Sequence, residues 1–178
     1  MEKFNSQIPF EASYWVVPGL FLAGEYPGGW GEIDTRKRIQ QLIQCGVSAC
    51  FDLTREGETG LYPYADIFTE EGSQYLKTVE IHRFPITDFM SPETETMVGI
   101  LNQIDACIQK EKTVYVHCRA GIGRTGTVVG AYLVRHGTNP EKVVEVIKHL
   151  RKDMSNKNIR SPEADEQIEF ICNWKIGQ

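Results

Sequence analysis

The sequence predicts an α/β fold with a central, largely parallel sheet and helices on both of its faces. Short apolar segments typical of strands alternate with longer segments of helical periodicity along the chain. The chain has 178 residues, of which 41% are hydrophobic, and it shows no internal repeat or linker. Because this length and composition suit one globular core, we expect residues 1–178 to form a single domain.

The predicted strands are short and apolar or alternate between apolar and polar residues. They lie at residues 16–23 (two strands around a Pro-Gly turn), 47–53, 78–84 and 113–116. Helical spacing predicts helices at 33–45 and 125–136. Three further helices are expected to start at Ser91, Asn139 and Ser161, since each precedes Pro-Glu and so provides an N-cap. Residues 55–75 predict a long loop with a helical piece.

Charge is distributed unevenly along the chain. The net charge is −5, which disfavours a nucleic-acid-binding protein, whose binding surface is basic. Residues 110–160 nevertheless carry eleven Lys and Arg against four Asp and Glu, a net charge of +7, while the remaining residues carry −12. This basic segment indicates a local site for an anionic ligand, with chance clustering on solvated helices as the alternative.

Several classes of protein are disfavoured by what the sequence lacks. No apolar run approaches the ~18–20 residues of a membrane span, and the first six residues do not resemble a secretory signal. The five cysteines are odd in number and lack CxxC spacing, and the four histidines are scattered. This pattern disfavours a disulfide framework or a metal site, so we expect a cytoplasmic protein without bound metal.

The segment HCRAGIGRTG at residues 117–126 carries most of the functional signal. It lies between a predicted buried strand and a predicted helix, at the sheet edge where open α/β folds bind ligands. Its three glycines allow backbone N–H groups to point inward, and the following helix adds the positive end of its dipole. We therefore predict a site for phosphate or another tetrahedral oxyanion. The predicted phosphate-binding residues are Arg119, Ala120, Gly121, Ile122, Gly123 and Arg124.

Three side chains of this segment suggest a reaction. Arg124, six positions after Cys118, can form bidentate hydrogen bonds to two phosphate oxygens. A helix N-terminus and a nearby Arg favour the thiolate of Cys118, which would then be a nucleophile beside the bound phosphate. Thr125 can donate its hydroxyl to the sulfur. The alternative is that Cys118 is an inert buried cysteine. The glycines, Arg124 and Thr125 at this spacing around it favour the functional interpretation.

The segment resembles the signature loop HCxxGxxR[ST] of the cysteine-dependent protein tyrosine phosphatases. This resemblance implies their fold, phosphomonoester hydrolysis through a phosphocysteine intermediate, and no cofactor. The chain length is similar to the compact dual-specificity branch, and Asp52-Leu53-Thr54-Arg55 looks like the corresponding segment of kinase-associated phosphatase. That enzyme has a cysteine at the position of Leu53, so a disulfide protecting Cys118 is in doubt here. Cys50 is the nearest substitute and is expected to lie in the core.

A leaving alkoxide or phenoxide needs a proton, and Asp88 is the best candidate for its donor. Asp88 follows a predicted strand, and the N-cap position of the next helix is already taken by Ser91. Compact phosphatases carry Pro-x-x-Asp about thirty residues before the cysteine, and Pro85 and Asp88 match this with a gap of 30. Asp88 would then also activate the hydrolytic water. The fallback acids on the long loop are Glu56, Glu58 and Asp66.

Three further residues are weaker candidates. The resemblance implies that His117 orients the loop by hydrogen bonding, which is also what a structural histidine does. Gln167 resembles the water-positioning glutamine of some family members, although its place in a helical segment favours an exposed residue. Arg55 either faces the pocket or pairs with Glu56 or Glu58.

The expected substrate is a phosphorylated protein, with phosphotyrosine ranked before phosphoserine and phosphothreonine because an aryl oxide leaves more easily. Arg119 resembles enzymes that accept strongly anionic substrates, but Ile122 stands where lipid phosphatases have a second basic residue. Phosphatases of inositol phosphates, phosphoinositides or other small molecules therefore remain an alternative. A phosphate-binding module without turnover is another, although Cys118 and Asp88 are both present.

Overall fold

The computed structural model describes residues 7–58, 60–75 and 77–178. In these ranges the chain forms five strands and six α-helices. The strands are β1 (Ser13–Val17), β2 (Phe21–Gly24), β3 (Val47–Asp52), β4 (Glu80–Arg83) and β5 (Thr113–His117). The helices are α1 (Glu32–Gln44), α2 (Ala65–Gln74), α3 (Thr94–Gln109), α4 (Gly123–Arg135), α5 (Val143–Leu150) and α6 (Asp165–Cys172).

The strands form one sheet in the order β1-β2-β5-β3-β4. Only the hairpin of β1 and β2 is antiparallel, and its turn uses Gly19 at a φ of 75°. The pairs β2–β5, β5–β3 and β3–β4 are parallel. The predicted fold class is confirmed, and the strand that precedes Cys118 lies in the middle of the sheet.

Helices cover both faces of this sheet, as expected for parallel strands. On one face, α1 and α2 pack against side chains such as Leu22, Cys50 and Tyr115. On the other face, α3 to α6 pack against a larger core that includes Phe51, Val114 and Val116. Within the described ranges, no helix is long and apolar enough to cross a membrane.

Two of the three predicted helix starts are wrong. The helix expected at Ser91 begins at Thr94 with Glu93 as N-cap, and the helix expected at Ser161 begins at Asp165 with Ala164 as N-cap. The Ser161 hydroxyl instead donates to the Ile122 carbonyl, 2.8 Å away, and the peptide bond that follows it is cis. The third expectation is confirmed, because Asn139 Oδ1 accepts from the Glu141 N–H and caps a short 3-10 turn before α5.

Candidate active site

The loop from Cys118 to Ile122 joins β5 to α4 at the carboxyl edge of the sheet. Cys118 is only 3% exposed. The N-cap of α4 is Ile122, whose side chain cannot accept a hydrogen bond, and no other side chain caps the helix in the part of the chain that is described. The first N–H groups of α4 and its positive dipole end are therefore available to an anion beside Cys118.

The loop backbone is held tightly against β2. Gly121 has a φ of 68°, and a Cβ atom there would lie 2.4 Å from the Gly24 carbonyl carbon and 2.6 Å from the Glu25 nitrogen. The Tyr26 N–H donates to the Arg119 carbonyl at 3.1 Å. The Gly24 and Glu25 atoms that a Cβ atom would meet belong to the backbone and cannot rotate away, so only glycine fits at position 121.

The start of α4 packs equally closely against the segment before α6. A Cβ atom on Gly126 would lie 2.3 Å from Ser161 Oγ, and one on Gly123 would lie 3.0 Å from Gln167 Oε1. The hydrogen bond from Ser161 to Ile122 belongs to the same contact. The loop is thus supported from two sides, and Ser161 is a support that the sequence reasoning missed because it was assigned to a helix cap.

The Arg124 guanidinium is buried and most of its donors are already used. Nη1 donates to Glu58 Oε1 at 2.5 Å and to the Ile86 carbonyl at 3.1 Å. Nη2 lies 3.2 Å from Glu58 Oε2 and 3.2 Å from Asp88 Oδ1. Nε is buried and has no hydrogen-bond partner among the described residues. A buried N–H group without a hydrogen-bond acceptor costs free energy, so Nε is well suited to donate to a phosphate oxygen.

Glu58 is the closest acid to Arg124, although the sequence offered it only as a fallback proton donor. Its side chain is 18% exposed, and this partial burial opposes ionisation. The hydrogen bonds from Arg124 and the Arg55 N–H, together with the positive charges of Arg124 and Arg119, outweigh burial and hold the pKa of the Glu58 carboxyl below its usual value. Burial of the Arg124 guanidinium is offset in the same way, and its pKa is raised. This long-range pair has no local sequence signal.

Asp88 lies at the mouth of the site, with a side chain that is 55% exposed. Its carboxylate also accepts from the Phe89 N–H, at 3.2 Å. Asp88 lines an open cleft of about 390 Å³ together with Arg119, Arg55 and Glu58. The structure therefore brings the predicted acid, the first basic loop residue and Arg124 to one place, as the sequence predicts. Arg55 faces this cleft, and its backbone N–H donates to Glu58 Oε1 at 2.8 Å.

The other fallback acids lie elsewhere. Glu56 is exposed in the turn before Glu58. Asp66 is on α2 and lines a different surface cleft, with Arg36 and Tyr62. Neither is among the residues that line the cleft beside Asp88.

His117 is fully buried behind the loop. Its Nε2 lies 2.7 Å from the Tyr64 hydroxyl, and its Nδ1 lies 3.4 Å from the Cys118 carbonyl oxygen. Burial lowers the pKa of His117 to about 4, so the imidazole is neutral near pH 7. His117 thus ties β5 and the loop to the segment before α2, and Tyr64 is a partner that the sequence did not reveal.

Gln167 is buried, and the expectation of an exposed helix residue is wrong. Its Nε2 donates to the Met90 carbonyl at 3.1 Å, and its Oε1 accepts from the Ala164 N–H at 3.2 Å. The amide therefore connects the segment after Asp88 to α6 and lies directly over Gly123. This position is compatible with the role that the family resemblance implies.

Thr125 Oγ1 is also buried and has no hydrogen-bond partner in the described ranges. Its predicted hydrogen bond to Cys118 stays a prediction.

Cys50 lies in the core, as predicted, and is too far along the sheet to pair with Cys118. In the parallel register of β3 and β5, Cys50 is opposite Tyr115. Cys118 is three residues further along, which is roughly 10 Å at ~3.3 Å per residue. Since a disulfide needs Cα atoms within about 7 Å, the two cysteines cannot be bridged in this fold.

The chain matches a protein-family model described as "Polymorphic toxin system, DSP-PTPase phosphatase" over residues 28–138. The chain belongs to this phosphatase family. The match contains β3, β5, the Cys118 loop and Asp88, and it confirms the resemblance drawn from the signature loop. The compact dual-specificity branch of the cysteine-dependent tyrosine phosphatases is therefore the correct assignment.

The chain is also similar to individual curated proteins and solved structures. Cyclin-dependent kinase inhibitor 3 from Sus scrofa is 24% identical over 127 residues, covering 66% of this chain and 57% of the relative. Phosphatidylglycerophosphatase and protein-tyrosine phosphatase 1 from Rattus norvegicus is 26% identical over 183 residues, covering 89% and 93%. The crystal structure of Tk-PTP in the active form superposes with a TM-score of 0.69 at 22% identity, covering 91% and 95%. The chain thus spans little more than half of the first relative and nearly all of the second.

Proposed function

We propose that this chain hydrolyses phosphomonoesters on proteins through a phosphocysteine intermediate, with phosphotyrosine preferred and phosphoserine and phosphothreonine also accepted. One observation carries the proposal: Arg124 Nε is buried and has no hydrogen-bond acceptor among the described residues. Arg124 lies at the start of α4, directly after the loop that begins at Cys118. A phosphate oxygen would satisfy this donor.

In the first step, the Cys118 thiolate attacks phosphorus while the bond from phosphorus to the ester oxygen breaks. The loop N–H groups and Arg124 Nε hold the equatorial phosphate oxygens, where charge is spread in the loose transition state. A bidentate contact from Arg124 also needs Nη2, which Asp88 now shares with Glu58. Asp88 would therefore leave Arg124 when phosphate binds, take up a proton from solvent, and pass that proton to the departing oxygen.

In the second step, the ionised Asp88 takes a proton from water, and the resulting hydroxide attacks phosphorus. The sulfur–phosphorus bond breaks, inorganic phosphate leaves, and the thiolate is restored. Glu58 stays on Arg124 throughout and keeps the guanidinium in place, while Thr125 stabilises the sulfur as a leaving group. Gln167 positions the water through its place between the Asp88 segment and Gly123.

The shape of the cleft beside Asp88 supports a broad range of phosphorylated side chains as substrates. It is open, and none of its lining residues in the described part of the chain is aromatic, so no deep slot selects an aryl ring. We infer that the chain acts as a single phosphatase domain over residues 1–178, in the cytoplasm, and that its phosphatase reaction uses no metal or cofactor.

A second candidate substrate is a phospholipid or an inositol phosphate. Arg119 lines the cleft beside Asp88, and the rat relative is named as both a phosphatidylglycerophosphatase and a protein-tyrosine phosphatase. Arg119 supports this alternative, whereas the apolar Ile122 disfavours it.

The test is a panel of phosphotyrosine and phosphoserine peptides, phosphoinositides and inositol phosphates, with Cys118→Ser as the blank. Cys118→Ser should abolish turnover while phosphate still binds, and retained turnover would reject the mechanism. Asp88→Asn should slow substrates with poor leaving groups far more than aryl phosphates with good ones. Equal slowing of both would remove Asp88 as the acid.

A further inference from the structure

Three side chains of types that can bind a metal ion lie together at the end of the sheet away from Cys118. Glu80 and His82 lie on β4, and Cys107 lies near the end of α3. Glu80 begins β4 and α3 runs back across the sheet, so the cluster lies near the amino ends of the parallel strands. None of these residues belongs to the proposed phosphatase mechanism.

Glu80 and His82 are two positions apart, so they lie on the same face of β4. The contact between His82 and Phe51 shows that this face is the one toward α3. In the register of β3 and β4, His82 is opposite Phe51, which packs in the core beneath α3. The His82 ring lies 4.8 Å from the Phe51 ring, between centroids. This contact places the imidazole on the face of the sheet that α3 covers.

The donor atoms are already close to the spacing that a metal ion needs. His82 Nε2 lies 3.1 Å from Glu80 Oε2 and 3.8 Å from Cys107 Sγ, and Glu80 Oε2 lies 4.0 Å from the sulfur. A tetrahedral zinc ion separates N, O and S donors by about 3.3–3.6 Å, given bonds of ~2.0–2.3 Å. Each of the three spacings is within about 0.5 Å of those values.

We propose that Glu80, His82 and Cys107 form a zinc-binding site. Thiolate, imidazole and carboxylate together are the ligands of Zn²⁺ rather than of Mg²⁺ or Ca²⁺, which prefer oxygen alone. The thiol of Cys107 gives its proton to solvent as the sulfur–zinc bond forms. Water takes the fourth position, since the side chains of His82 and Glu80 are 22% and 37% exposed.

Lys112 has two opposing effects on this site. Its ammonium hydrogen-bonds Glu80 Oε1, which leaves Oε2 directed toward His82 and Cys107. A partner on the outer oxygen of a ligand fixes the direction in which that ligand points, as hydrogen bonds around metal ligands commonly do. The positive charge of Lys112 also opposes a divalent ion, so binding should be weaker than at a zinc site with four protein ligands.

Zinc binding is measured by titration with Zn²⁺ in the Cys118→Ser background, because the loop thiol could itself bind the metal. We expect one ion per chain, bound with a dissociation constant on the order of 1 µM. His82→Gln and Cys107→Ser should each weaken binding by about tenfold or more. The matched controls Cys172→Ser and His136→Gln change an exposed cysteine and a surface histidine elsewhere, and they should leave binding unchanged.

Two further measurements keep the proposal open to refutation if Cys107→Ser folds poorly. Zn²⁺ should raise the melting temperature of the parent but not of His82→Gln, since an ion that binds only the folded state stabilises it. Co²⁺ should give a thiolate charge-transfer band that Cys107→Ser loses. Absence of saturable binding, or binding that His82→Gln does not weaken, would show that the cluster is only a hydrogen-bonded network.

Discussion

Replacing Gly121 with alanine tests whether the loop is shaped by its contact with β2. The new Cβ would lie 2.4 Å from the Gly24 carbonyl carbon, 2.6 Å from the Gly24 oxygen and 2.6 Å from the Glu25 nitrogen. All three atoms are backbone at the end of a paired strand, so no side chain can rotate away. The loop itself must move.

The size of the effect follows from these distances. A normal carbon contact of ~3.5 Å requires the loop to shift by about 1 Å. The φ of 68° adds about 1–2 kcal/mol of backbone strain for a residue with a Cβ, and overpacking adds roughly 1–3 kcal/mol. We therefore expect the free energy of unfolding to fall by about 2–5 kcal/mol, which lowers the melting temperature by on the order of 10 °C.

The effect on catalysis should be larger than the effect on folding. A displacement of about 1 Å in a reacting group costs roughly 100-fold in rate. We expect kcat/KM for an aryl phosphate to fall by about this factor at a temperature where Gly121→Ala is still folded, as verified by circular dichroism.

Gly99→Ala is the matched control. Gly99 lies on α3, and a Cβ atom there would have no neighbour within 4 Å outside its own helix, so alanine should fit and raise stability by roughly 0.5–1 kcal/mol. Its kcat/KM should equal that of the parent. If Gly121→Ala kept kcat/KM within about threefold of the parent, the argument that this backbone contact shapes the phosphate site would be refuted.

Three other predictions concern Glu58, His117 and Cys50. Glu58→Gln should lower kcat for an aryl phosphate and destabilise the fold by about 1.5–3 kcal/mol, because it removes the charge that holds Arg124, and the exposed Glu56→Gln should do neither. The pKa of His117 is about 4 in the folded chain, against 6.5 for an unperturbed histidine, so the unfolded chain binds the extra proton first as the pH falls. The free energy of unfolding should therefore fall by up to about 3 kcal/mol between pH 6.5 and pH 4. Urea titrations at these pH values measure this loss, and His117→Gln should lack it. Cys50→Ala should leave the rates of peroxide inactivation and thiol recovery unchanged, and a protective effect of Cys50 would contradict the register of β3 and β5.

The place of the Cys118–Ile122 loop between β5 and α4 was predictable because the residues that define it are contiguous. Cys118, the glycines and Arg124 fall within a few residues after a β-branched strand, and strand, turn and helix are local structures. The position of Asp88 beside Arg124 was predictable for a related reason, since the carboxyl ends of parallel strands meet at one edge of the sheet.

The supports of the loop were not predictable. Glu58 reaches Arg124 across 66 positions, and Ser161 reaches Ile122 across 39. The Ser-Pro-Glu pattern is identical at residues 91 and 161, and in neither place does it start the helix. The Ser161 hydroxyl donates to the Ile122 carbonyl, and only the packing of the segment before α6 against this loop creates that contact.

The sequence by itself determined the α/β class, the order of most elements and the place of the Cys118 loop between β5 and α4, because periodicity and short motifs depend on neighbours along the chain. Only the tertiary structure decided which acid holds Arg124, that Gln167 is buried over Gly123, and that Cys50 cannot reach Cys118. Those facts depend on which segments meet across the sheet edge, and burial and long-range hydrogen bonds exist only once the segments are packed together.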